Sequence, residues 1–173
     1  MRRVMVDIET LGTKPGSVIL SIGAVDFGPA PQDGKPFFRS IDVFSSLMAG
    51  CSIDAETLAW WRKQSPWAKD AAQPAHGQVS LPAALDAFAK YVEGADEVWA
   101  KGPDFDLVLL ASVYQHFGAR VPWSFRKTRD CRTIYALAGV THDSHGIDHS
   151  AVDDAVGQAK AVLEAYARLG VAL

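Results

Sequence analysis

The stretch Val4-Met5-Val6-Asp7-Ile8-Glu9-Thr10 alternates as a strand does, and it puts two carboxylates where a core strand is apolar. Successive side chains point to opposite faces, so Val4, Val6 and Ile8 share one face while Asp7 and Glu9 share the other. Two neighbouring carboxylates repel unless a cation or a shared proton lies between them, and burying them unpaired is costly. A hard divalent cation resolves both problems, because Mg²⁺ and Mn²⁺ prefer carboxylate oxygens. The competing reading is an edge strand whose two acids are solvated.

Working outward, Gly12, Pro15 and Gly16 form a turn, and Ser17 to Phe27 reads as a second strand. Gly28 to Gly34 is a loop by its breakers, and Phe37 to Val43 is a third strand, which predicts an antiparallel meander. Ala55 to Gln64, Trp67 to Ala72 and Leu81 to Tyr91 read as helices, the last capped by Ser80. Glu97 to Ala100 is a short strand and Phe105 to Phe117 a helix. Thr133 to Ala138 is helical, and Ser150 to Leu169 is the longest helix. Strands followed by alternating helices and strands give a mixed α/β domain around one sheet.

The 173 residues fit one domain, 1–173, with no internal repeat or linker. With 49% hydrophobic and 21% charged residues the composition is that of a globular protein. No stretch reaches the ~20 apolar residues of a membrane span. Asp7 arrives too early for a secretory signal, and Cys51 and Cys131 form neither a metal spacing nor a disulfide framework, so the expected location is the cytoplasm. A net charge of −3 argues against a protein that coats nucleic acid. One basic strip, Arg120, Arg126, Lys127, Arg129 and Arg132 against Asp130 alone, suits local contact with a polyanion, or is a solvated loop.

Two further constellations carry acids on inward faces. In Gly102-Pro103-Asp104-Phe105-Asp106, Asp104 suits an N-cap, whereas Asp106 lies in phase with Leu110, Val113 and Phe117 on a buried stripe. In His149-Ser150-Ala151-Val152-Asp153-Asp154, helical phase turns Asp153 to solvent and Asp154 to the core face shared with Ala151, Gln158 and Val162. Four inward acids with one histidine, namely Asp7, Glu9, Asp106, Asp154 and His149, suit a two-metal phosphoryl-transfer site with ions about 4 Å apart.

In order and spacing these motifs resemble the DEDDh 3′-to-5′ exonuclease superfamily: Asp7-x-Glu9 on the first strand, Phe105-Asp106 at a helix start, and His149-x-x-x-x-Asp154. Val6 to Gly12, Thr57 to Ser65 and Gly102 to Asp106 further resemble the small exoribonuclease group of the mycobacterial adenylate-preferring RNase and the phage exonuclease A type. The resemblance implies an RNase H-like fold, a five-stranded mixed central sheet flanked by helices, and often a homodimer. It implies two Mg²⁺ or Mn²⁺ ions held by Asp7, Glu9, Asp106 and Asp154, with His149 as general base. The implied substrate is the 3′ end of single-stranded nucleic acid, RNA favoured, contacted by Thr10, Leu11, Trp61 and Phe105. Trp60 and Trp67 are further stacking candidates, and Arg62, Lys63 and the basic strip could steer phosphates. A DNA 3′-5′ exonuclease of repair or proofreading, and an inactive nucleic-acid-binding module, stay open as alternatives.

Overall fold

The computed structural model describes residues 1–28, 35–141 and 149–172. Its centre is a five-stranded sheet in the order β3-β2-β1-β4-β5. The strands are β1 (Arg3–Thr10), β2 (Ile19–Phe27), β3 (Phe37–Ser40), β4 (Glu97–Ala100) and β5 (Thr128–Asp130). β1, β2 and β3 pair antiparallel, as the meander predicts, while β1–β4 and β4–β5 pair parallel. A sheet of mixed direction results, with β1 in the middle.

Two cores sandwich that sheet. Val4, Val6 and Ile8 of β1 face a core that includes Leu85 and Phe88 of α4 (Leu81–Val92) and Leu109, Leu110 and Val113 of α5 (Asp106–His116). On the opposite face Met5 packs with Trp99, Cys131 and Tyr135, and with Ala155, Ala159 and Val162. Those last residues belong to α6 (Cys131–Ala138) and α7 (Ala151–Leu169). The stripe α7 turns inward is built mainly of alanine, so its backbone lies close to the sheet. A Cβ placed on Gly23 would come within 2.2 Å of the Ala151 carbonyl carbon. Glycine at that point of β2 is what lets the start of α7 sit flush on the strand.

Three short helices lie between β3 and α4: α1 (Val43–Met48), α2 (Ala55–Lys63) and α3 (Pro66–Ala72). The first corrects the expected third strand, which ends at Ser40 rather than Val43. The Asp42 carboxylate accepts from the backbone N–H groups of Phe44 and Ser45 and so starts a helix in place of a strand. The pattern also missed β5, because Thr128-Arg129-Asp130 contains no apolar residue to mark it. Asp130 then caps α6, accepting from Arg132 and Thr133 N–H, and the helix begins two residues before the predicted Thr133. Ser80 stands at the α4 N-cap but makes no side-chain capping bond. The predicted cap role of Asp104 is not realised either: Phe105 holds the α5 N-cap position and Asp104 is exposed.

Candidate active site

The acids of β1 gather at its C-terminal end, where the sheet's own pairing changes. Across the antiparallel ladder Asp7 faces Gly23 and Glu9 faces Ser21. Both partners are small, so the first turns of α7 can close over the carboxylates. On the other edge of β1, β4 pairs only as far as Met5. Beyond it the Ile8 N–H donates to Asp106 Oδ1 at 3.2 Å, so this carboxylate stands in for a missing strand partner. Ser150 caps α7, its hydroxyl accepting from Asp153 N–H at 3.4 Å, and one turn later Asp154 reaches the β1 acids.

Carboxylate oxygens of Asp7, Glu9 and Asp154 lie within 4.8 Å of one another. Asp106, 4% exposed, adds a fourth charge that acts on Asp7 and Glu9. Burial, and then the charges of Asp106, Glu9 and Asp154, hold the Asp7 carboxyl well above its ordinary range, against a lowering hydrogen bond from Gln158. Burial, then Asp154 and Asp106, pushes Glu9 up to about 8. Burial raises Asp106 to about 7, opposed by backbone N–H bonds and the Arg132 charge. Such a cluster is short of positive charge. An all-oxygen donor set is the chemistry that hard divalent cations complete, and these residues fit that role.

Beside the acids opens a pocket of about 500 Å³ lined by Ile8, Glu9, Thr10, Thr13, Glu56, Thr57, Trp60, Trp61 and Phe105. Of the predicted substrate contacts, Thr10, Trp61 and Phe105 therefore line it. Thr10 is spoken for internally, its hydroxyl donating to Gly12 O and its carbonyl accepting from Trp61 Nε1 at 2.8 Å. That bond holds Trp61 at 6% exposure, whereas Trp60 keeps 43% of its surface open. Leu11 instead turns into the core and borders a separate recess with Leu20, Leu58 and Trp61. His149 takes a left-handed backbone, φ 64°, and its ring packs edge-on to Trp60 and Trp61, centroids 4.9 and 5.5 Å away. Trp67 is 77% exposed and lines none of this pocket.

Three contributors escaped the sequence pattern. Thr13 and Glu56 lie on the pocket wall, and Gln158 donates to Asp7 Oδ1 at 2.8 Å. The basic strip is partly structural: Lys127 Nζ donates to Ala95 O, and Arg129 pairs with Glu97 at 3.2 Å.

Comparison with known proteins agrees with this architecture. The nuclease domain of 3′hExo, a DEDDh family member solved with rAMP, superposes with a TM-score of 0.59 at 12% identity, covering 99% of this chain and 94% of that one. Pop2p of S. pombe, solved with Mg²⁺ and Mn²⁺, gives 0.58 at 15% identity over 96% and 83%. The fold is thus that of the RNase H-like DEDDh nucleases. The family model of the 3′-5′ exoribonuclease Rv2179c-like domain matches residues 2–166, and the chain belongs to that family. The exodeoxyribonuclease of Enterobacteria phage T4 is 23% identical over 122 residues, 63% of this chain. The match spans only 54% of the phage enzyme's length.

Proposed function

We propose that this chain, as one exonuclease domain over residues 1–173, hydrolyses single-stranded nucleic acid from its 3′ end, with RNA favoured, using two Mg²⁺ or Mn²⁺ ions. The observation that carries the reading is the convergence of Asp7, Glu9 and Asp154 from opposite ends of the chain to within 4.8 Å. Asp7, Glu9, Asp154 and Asp106 would hold the ions. When bound, the ions supply Lewis-acid polarisation of the phosphate and a nucleophilic water near neutral pH.

The protein's own groups supply the rest. A pocket of about 500 Å³ is of the size that encloses small ligands and takes the terminal nucleoside. Phe105 and the open face of Trp60 flank the base, where stacking is worth ~1–3 kcal/mol per base. His149 takes the proton of the attacking water as general base. A P–O bond forms to the water oxygen, and the bond from phosphorus to the 3′ oxygen of the penultimate nucleotide breaks. A 5′-mononucleotide is released, and solvent protonates the new 3′ end.

RNA preference rests on the family description; a DNA substrate is favoured only by the name of the phage relative. Among the described residues no helix is long and apolar enough to cross a membrane. Cys51 and Cys131 are free and buried, in keeping with the proposed cytoplasmic location. A homodimer belongs to the same proposal and is read by light scattering. The decisive assay is degradation of matched end-labelled RNA and DNA with Mg²⁺, with Mn²⁺ and with chelator. We expect stepwise loss of mononucleotides from the 3′ end, faster on RNA, and none with chelator. Faster DNA turnover would assign the DNA reading, and no release from any 3′ end would leave a binding module.

A further inference from the structure

Gln158 has no catalytic reason to be where it is if it only fills space. It lies one helical turn after Asp154, on the face α7 turns to the sheet, and is 3% exposed. Every other buried position of α7 is alanine, glycine or valine. Its amide nitrogen donates to Asp7 Oδ1 at 2.8 Å, while its Oε1 has no partner among the described residues. An unpartnered buried carbonyl costs stability, so an apolar side chain of the same size would serve the fold better. Turning the amide over would only move the deficit, leaving the buried amide nitrogen without the Asp7 oxygen it now meets.

The backbone beneath it is held too: the Tyr135 hydroxyl, from α6, donates to Gln158 O at 2.8 Å. Tyr135 is itself 6% exposed, so both ends of the Gln158 residue are fixed against buried groups.

The geometry points to Gln158 as the positioning residue of Asp7: its donated hydrogen bond fixes the rotation of that carboxylate so that Oδ2, and the second lone pair of Oδ1, are presented to the divalent ions. This inference rests on the proposed metal-dependent reaction and extends it to a residue with no charge and no contact with substrate. Asp7 is crowded by three acids, and without a donor on one side its carboxylate would rotate to minimise repulsion rather than to meet a cation. Groups that orient metal ligands in this way change metal affinity or activity by about 10–100-fold when lost.

The test compares Gln158→Met, which keeps the volume and removes the donor, with Gln158→Ala, which removes both. Mn²⁺ binding is measured by calorimetry, and kcat and KM are measured separately on an end-labelled oligonucleotide. For Gln158→Met we expect about tenfold or greater loss of Mn²⁺ affinity and a similar fall in kcat, with KM within twofold and a thermal midpoint at or above that of the wild type. Gln158→Ala then shows the same loss of ion affinity and a lower midpoint. Restoration of wild-type Mn²⁺ affinity and kcat by Met would make Gln158 a packing residue and overturn the inference. Wild-type protein that neither binds Mn²⁺ nor degrades any 3′ end would instead refute the functional proposal beneath it.

Discussion

The two faces of β1 do opposite things with the same eight residues. One face, Val4, Val6 and Ile8, lies against Phe88, Leu109 and Leu110 and gains stability from every contact. The other carries Asp7 and Glu9 beneath α7, where burial and mutual repulsion raise both carboxyls. One strand is thus a source of stability on one side and a cost on the other. The cost concentrates oxygen ligands that a cation later satisfies.

That contrast predicts opposite mutational signatures. Asp7→Asn removes a charge from the crowded side. Loss of a ligand worth several kcal/mol of charge stabilisation corresponds to roughly a thousandfold or more in rate, while the ion-free protein melts at the same temperature or higher. Oligonucleotide turnover and a melting scan on one sample check both halves. Activity within tenfold of wild type would remove Asp7 from the chemistry. Phe88→Ala cuts into the apolar side, where the ring is 0% exposed. Truncating such a ring costs about 3–5 kcal/mol, and turnover per folded molecule stays near wild type. A chemical denaturation midpoint and an active-site-normalised rate separate the two effects.

A weaker effect sharpens the same comparison through pH. Glu9 is held at about 8 in the fold against an ordinary 4.5. Below pH 4.5 both folded and unfolded chains are protonated here, and the fold carries no penalty. As pH rises from 4.5 the unfolded chain gives up its proton while the folded one keeps it, so stability falls until the folded carboxyl also ionises near 8. The ion-free protein is therefore expected to melt several degrees lower at pH 8.5 than at pH 6. Mn²⁺ binds only the folded form and cancels the drop. Glu9→Gln makes the drop shallower without metal, leaving the shares of the raised Asp7 and Asp106 carboxyls. A melting temperature that rises from pH 6 to 8.5 in chelator would contradict the charge-crowded site.

The acids were legible because charge on an inward face is a contradiction that periodicity exposes: alternation flags Asp7 and Glu9, and helical phase chooses Asp154 over Asp153. Gln158 sits in the same phase but raises no alarm, since a neutral amide at a core position demands nothing of the pattern. Trp60 and Trp61 are adjacent on α2, and only the bond from Trp61 Nε1 to Thr10 O decides which ring stays open. Leu11 reads as a pocket residue when taken as the continuation of the metal strand. The register shift between Glu9 and Thr10 interrupts that continuation, and Leu11 turns into the core. The strand Thr128–Asp130 owes its pairing to its place beside β4, which no local pattern states.

The smallest expected effect lies in the turn before α5, where two aspartates stand two residues apart. Asp106 is buried, accepts from the Ile8 N–H and raises the carboxyls of Asp7 and Glu9 by its charge. Asp104 is exposed and makes no capping bond. Substitutions at such surface positions stay within about 0.5 kcal/mol, so Asp104→Ala is expected to leave both the melting temperature and the turnover close to wild type. Asp106→Ala removes a proposed ion ligand and the carboxylate that accepts from the Ile8 N–H, and turnover falls by orders of magnitude. Run side by side, the pair isolates burial from charge, because the two residues share chemistry and local sequence and differ in what surrounds them. Equal losses at both positions would mean that the turn as a whole, rather than the Asp106 carboxylate, supports the site.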